Sequence, residues 1–286
     1  MSPLRAIDTH VHLWTEEALA TMGDRASAMA RYFGADLRPV SVDELAERYR
    51  SQDMMAVLLA IDDETTSGLP PISNDSLAAA VRAHPDVFVG FAGIDPWKGR
   101  LAIAEARRAA QDLGLRGLKF NPGRQGFFPN DARFYPLWEE AQRLGLICLF
   151  HTGMMGAGAG TPGGGGYKLK YTQPIPYLDD VAADFPQLTI IAAHPSWPWQ
   201  DEGLAVARHK ANVYLDLSGW APKHFPEQLV RYAGGPLQDK CLFGSDWPVL
   251  SPERWLEEFA ELPIKPEARR KILLDNARRI LGIDAS

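Results

Sequence analysis

Short runs of Val, Ile, Leu and Phe recur along the chain. Each is followed by a polar or Gly/Pro turn and then by apolar residues at helical spacing. The runs cover residues 6–13, 54–62, 87–95, 115–121, 146–153, 188–195, 213–219 and 240–248. They are continuously apolar rather than alternating, as parallel strands covered on both sides are. The segments between and after them predict helices over 41–50, 74–83, 101–113, 132–144, 176–185, 201–209, 227–233, 252–262 and 266–282. Several open with Asp, Asn, Ser or Pro, and Ser41 with an acid at Glu44 is a capping-box pattern. Eight alternations in 286 residues predict an α/β protein, a single (β/α)8 TIM barrel spanning 1–286. Residues 14–39 are too many for a βα loop and predict an insertion over the barrel mouth; a C-terminal helix closes the chain. A doubly wound sheet alternates too, but usually carries a Gly-rich fingerprint after its first strand.

Composition narrows the class. Hydrophobic residues make up 46% and charged residues 23%, which excludes a disordered or fibrous chain. The net charge is −6 and there is no basic run, so no nucleic-acid partner is expected. No stretch approaches the ~20 apolar residues of a membrane span. The N-terminal sequence lacks an apolar signal core, which leads to an expected cytoplasmic location. Cys148 and Cys241 fall inside strands and read as small buried apolar residues.

The chemistry collects at strand ends. Of seven histidines, His10 and His12 end the first strand, His151 the fifth and His194 the sixth, while Asp246 ends the eighth. In a closed barrel these ends share one mouth, where barrel enzymes keep their active sites. Residues i and i+2 of a strand share a face, so His10 and His12 both point inward. Two imidazoles so spaced, a third from His151 and the Asp246 carboxylate suit one divalent ion, zinc first, with manganese or iron as alternatives.

Asp-Thr-His-Val-His on the first strand, Phe-His-Thr-Gly on the fifth, Ala-His-Pro on the sixth and Gly-Ser-Asp-Trp-Pro on the eighth resemble the amidohydrolase superfamily. With Gly-Leu-Lys-Phe-Asn-Pro and Asn-Ala-Arg-Arg-Ile-Leu-Gly they resemble its amidohydrolase-related group, which includes aminocarboxymuconate semialdehyde decarboxylase. The resemblance implies His10, His12, His151 and Asp246 as metal ligands. It implies that His194 acts on water or substrate in single-metal members, or binds a second ion in two-metal members. Lys119 would be carboxylated and bridging in a two-metal site, or a substrate or network lysine in a one-metal site. Pro-Ser-Trp-Pro-Trp follows His194 here, where relatives often have Gly-Gly or Gly-Glu.

The expected activity is metal-dependent hydrolysis, with metal-activated water attacking a carbonyl of a small aromatic or carboxylated molecule, and Asp246 and His194 moving protons. Non-oxidative decarboxylation of an aromatic or unsaturated acid is the alternative, since it needs the same side chains. A metal-free lactonase and an inactive binding barrel rank below. The partner is a small-molecule substrate, and a homodimer is compatible with the resemblance. Trp197, Trp220 and Trp247 lie just beyond strand ends and predict an aromatic substrate wall. Arg124 offers a planar fork for a substrate carboxylate. Seven glycines between Met154 and Gly166 include a G-x-G-x-x-G match at Gly158, Gly160 and Gly163. It opens no helix directly, so it reads as a flap over the metal rather than a dinucleotide loop. Lys168 and Lys170 follow it, placed to meet an anionic substrate tail.

Overall fold

The computed structural model describes residues 3–34 and 38–283. Eight parallel strands run in chain order, each paired with the next. They are β1 (Ala6–His12), β2 (Met54–Leu59), β3 (Phe88–Gly93), β4 (Gly117–Phe120), β5 (Ile147–His151), β6 (Ile190–Ala193), β7 (Val213–Asp216) and β8 (Cys241–Leu242). Backbone bonds across the β1–β8 seam close the barrel. The Thr9 N–H donates to the Phe243 carbonyl at 2.9 Å, Asp246 N–H to His10 at 2.9 Å and His12 N–H to Trp247 at 3.0 Å. All eight apolar runs therefore become strands. Each ladder stops short of its run, because the last residues of the run turn outward and build the mouth.

Helices cover the outside: α1 (Glu16–Met22), α2 (Asp24–Phe33), α3 (Val42–Arg50), α4 (Asn74–Ala83), α5 (Arg100–Gln111), α6 (Tyr135–Arg143), α7 (Tyr177–Asp184), α8 (Gln200–His209), α9 (Glu227–Ala233) and α10 (Pro252–Ala260). The capping box forms as the sequence predicts: Glu44 N–H donates to Ser41 Oγ at 3.2 Å, and Ser41 N–H donates to the Glu44 carboxylate at 2.9 Å. The insertion is α1 and α2; residues 35–37 of it lie outside the described residues. No helix among the described residues is long and apolar enough to cross a membrane.

Apolar side chains form two layers. One fills the space between strands and helices, with Trp138 edge-on to Phe120 at 4.9 Å and to Phe150 at 5.2 Å. The other fills the barrel axis, where Ile7, Val57, Phe91 and Leu149 meet Leu274, Ala277 and Leu281 of the C-terminal segment. That segment is helical over Pro266–Arg270 and Asn276–Leu281, with a π-helical turn at Lys271–Asp275 between them. Its Asn276 side chain donates to the Gln238 and Cys241 carbonyls, both at 2.8 Å. The C-terminal helix is thus a plug for the barrel floor, and the mouth is left for chemistry.

Candidate active site

Strand geometry puts His10 and His12 on one side of β1, and the β1–β8 seam brings Asp246 to them. Asp246 Oδ1 lies 3.4 Å from His10 Nε2 and 3.3 Å from His12 Nε2. The three donor atoms lie within 4.8 Å of one another. Donors about 2.1 Å from a shared ion stand roughly 3 to 3.5 Å apart, so these separations match the edge of a coordination polyhedron. The tautomer fits as well. His10 Nδ1 sits 2.6 Å from Asp216 Oδ2, and a carboxylate only accepts, so Nδ1 carries the proton and the Nε2 lone pair faces the site, where Lys119 Nζ now approaches it and a cation would bind. Two imidazoles and a carboxylate, one imidazole oriented by a second carboxylate, make a donor set suited to a divalent ion.

Electrostatics follow from burial. The His10 imidazole is held neutral, well below its ordinary value, by burial and then by the nearby Lys119 charge. Lys119 is buried on β4, with Nζ 3.2 Å from His10 Nε2, and burial lowers its ammonium to about 8. Burial pushes Asp216 up to about 6. Asp246 goes the other way: burial opposes its charge, but the His10, His12 and His194 imidazoles hold it below the usual carboxylate range.

His194 and His151 form a second pair. His194 Nε2 is 3.0 Å from His151 Nδ1, His194 Nδ1 is 3.1 Å from the Ser218 carbonyl, and His151 Nε2 is 3.3 Å from the Met154 carbonyl. Filling all three contacts needs three N–H groups, whereas two neutral rings supply two. The pair can therefore take up one extra proton and give it back. Burial lowers both rings and keeps the pair neutral at rest. His151, expected as a fourth ligand, is turned to His194 and stands outside the His10–His12–Asp246 group.

The backbone is bent to hold these groups. His194 (φ 73°) and Asp246 (φ 67°) are left-handed, a conformation that costs an L-residue about 1–3 kcal/mol and clusters at functional sites. Gly219 packs against both. A Cβ there would lie 2.7 Å from His194 Nδ1 and 3.2 Å from Asp246 Oδ2, so only glycine fits.

Above the donors is a cavity of about 120 Å³, walled by Leu13, Trp14, Phe33, Ile61, Ile72 and Met155. Phe33 comes from the insertion, so the expected roof over the mouth is present. The Gly-rich segment packs against it, with Gly156 against Phe33 and Gly160 against Tyr32. Lys119 and Arg124 reach this cavity; Trp197, Trp220 and Trp247 do not line it. Trp197 is exposed and packs on Trp220, with ring centroids 5.9 Å apart. Trp247 is tied by its carbonyl to His12, and its ring lies under the Arg48 guanidinium, 4.1 Å away. Arg124 is not a free fork: its Nε and Nη2 pair with Asp63 Oδ2 at 2.9 and 2.8 Å. Both cysteines are buried, and burial pushes the Cys241 thiol up to about 12, as inert thiols require.

Sequence reasoning missed Asp216 and Ser218. Ser218 Oγ donates to Asp216 Oδ2 and lies 3.0 Å from both His10 Nδ1 and His194 Nδ1. Asp216 and Ser218 are two residues apart at the end of β7, the same spacing that exposed His10 and His12.

An amidohydrolase family model matches residues 7–283. The chain belongs to the amidohydrolase family. Among its relatives, the chain is 24% identical over 251 residues to a gamma-resorcylate decarboxylase from Polaromonas sp. (strain JS666 / ATCC BAA-500), covering 74% of this chain and 76% of that one. It is 30% identical over 78 residues to a 2-amino-3-carboxymuconate-6-semialdehyde decarboxylase from Dictyostelium discoideum, a match that spans 27% of this chain and 22% of that enzyme. Among solved structures, an uncharacterised TIM-barrel protein from Bordetella bronchiseptica superposes with a TM-score of 0.77 at 27% identity, over 97% of this chain and 98% of that one. A manganese-bound dihydroxybenzoic acid decarboxylase from Polaromonas sp. JS666 superposes at 0.66 with 20% identity, over 98% of each chain.

Proposed function

We propose that this protein removes CO2, without an oxidant, from a small hydroxylated aromatic or unsaturated acid, using a divalent ion held by His10, His12 and Asp246. The observation that carries the reading is the trio of donors at the floor of a small cavity with apolar side chains above them. The inner cavity, at about 120 Å³, is somewhat smaller than the roughly 150 Å³ that takes a benzene ring, so at most a single ring enters it. The decarboxylases among the relatives support the same reading.

When bound, the ion supplies a Lewis acid for the oxygens of the acid. The chain does the rest. Decarboxylation breaks one C–C bond, leaves the electron pair on the ring carbon and needs one proton there. In this reading the His151–His194 pair first takes up one proton through His151, and His194 then gives it to the ring carbon. Lys119 adds a buried positive charge for the departing carboxylate or a ring oxygen. The apolar side chains above the donors lower the local dielectric, which strengthens each of these interactions.

Hydrolysis, the reaction expected first from the motifs, is the second reading. It is favoured by one observation: Asp246 Oδ1 stands 3.4 and 3.3 Å from His10 Nε2 and His12 Nε2, where a carboxylate would orient a water beside the ion. Incubating metal-loaded protein with hydroxybenzoates and carboxylated phenols tests the choice. Decarboxylation gives equal amounts of CO2 and the decarboxylated arene. Incorporation of labelled water oxygen into a cleaved ester or lactone, with no CO2 from any acid, would overturn it.

A further inference from the structure

A second chamber of about 740 Å³ opens beside the inner cavity, and Met22 and Arg124 belong to the walls of both. A one-ring acid does not need this space. Its charged lining is Arg25, Arg124 and Lys168, and among the described lining residues there is no carboxylate. That departs from a chain whose net charge is −6.

Asp63 sits behind this wall with its side chain 5% exposed, and its Oδ2 accepts from Arg25 Nη1 at 2.9 Å and from Arg124 Nε at 2.9 Å. One buried carboxylate thus fixes two guanidinium groups and neutralises one of them. Arg25 is further held by the Met22 carbonyl and the Tyr167 side chain. Lys168 is exposed and needs no such anchor. Two positive charges remain in surplus. A phosphate group offers three terminal oxygens to this set, where a carboxylate offers two, and guanidinium forks match phosphate geometry.

We infer that the outer chamber binds a phosphate-bearing tail of the substrate whose acidic head occupies the inner cavity. The nature of that head rests on the proposed decarboxylation; the tail site does not. Arg124, on the shared wall, would lie where head and tail join.

Calorimetric titration of metal-loaded protein with inorganic phosphate tests the site without turnover. Lys168→Ala and Arg25→Gln should each weaken binding at least about tenfold, the loss expected for a charge-assisted contact. His12→Ala should leave it unchanged, which separates the chamber from the ion. Binding lost in His12→Ala, or kept in both chamber variants, overturns the inference; Lys168 is exposed, so a folding failure does not blur that arm. ω-Phenylalkyl phosphates of graded length then separate a tail from an independent phosphate. One length should bind at least about tenfold tighter than phosphate alone, because ring and anion act as one ligand. No gain at any length would mean a separate anion and would overturn the inference. If acids release no CO2 while these phosphates bind as expected, the reaction reading alone falls.

Discussion

His10 is held from three sides. Asp216 accepts a hydrogen bond from its Nδ1, Lys119 approaches its Nε2, and Asp246 stands opposite. This makes Asp216 a positioning group for a metal ligand, and Asp216→Asn should reduce metal affinity about 10- to 100-fold, measured by competition with a chelating dye. Its carboxylate, raised to about 6, is protonated below that pH and then loses its hold on His10. Lys119, lowered to about 8, loses its charge above that pH. Activity should therefore rise through about pH 6 and fall through about pH 8, and Lys119→Met should abolish the alkaline limb in a pH–rate profile. His12→Ala and Asp246→Asn should remove most activity while the circular dichroism spectrum stays native; full turnover in both would refute the site. His194→Asn should depress the rate more than the metal content. His10, His12 and Asp246 were legible because strand periodicity and a closed barrel fix where they go. Asp216 and Ser218 carry the same spacing but are common residues at strand ends, so spacing alone does not mark them. A position beyond a strand end does not fix where a ring turns, so the sequence left open whether the three tryptophans line the inner cavity; for Trp247 the seam bond to His12 and the Arg48 contact decide where its ring lies.

Between elements, the β1–β8 seam is where structure and chemistry meet. Asp8 Oδ1 accepts from the His10 and Ser245 N–H groups at 3.1 and 2.9 Å, and its Oδ2 accepts from Tyr49 of α3 at 2.8 Å. One buried carboxylate, raised to about 7 by burial, thus ties both ligand-bearing segments to a helix. Tyr49→Phe leaves that carboxylate one donor short, so it should lower unfolding free energy in urea by about 1–3 kcal/mol and loosen metal binding with it. An unchanged midpoint would mean the seam holds without the latch. Helix and strand existence was legible from periodicity and caps. The π-helical turn at Lys271–Asp275 was not, because its apolar residues answer to two layers at once, Ile272 to the strand–helix layer and Leu274 to the barrel axis, a demand that no local pattern displays.

At the scale of the whole barrel, an ion at His10, His12 and Asp246 would cross-link the first and last strand regions. A ligand bound only by the folded chain at 100 times its dissociation constant stabilises it by about 2.7 kcal/mol. Chelation should therefore lower the melting temperature by several degrees, and His12→Ala protein should not respond to chelator. The barrel itself was legible end to end, since eight apolar runs at regular spacing leave few other folds. The inner and outer chambers were not, because the insertion, the Gly-rich segment and the Asp63 pairs meet only in three dimensions. Anomalous diffraction from a crystal grown with manganese locates the ion. A peak is expected about 2.0–2.3 Å from His10 Nε2, His12 Nε2 and an Asp246 carboxylate oxygen. A map with no peak among those three side chains, in protein that still turns over its substrate, would contradict that placement.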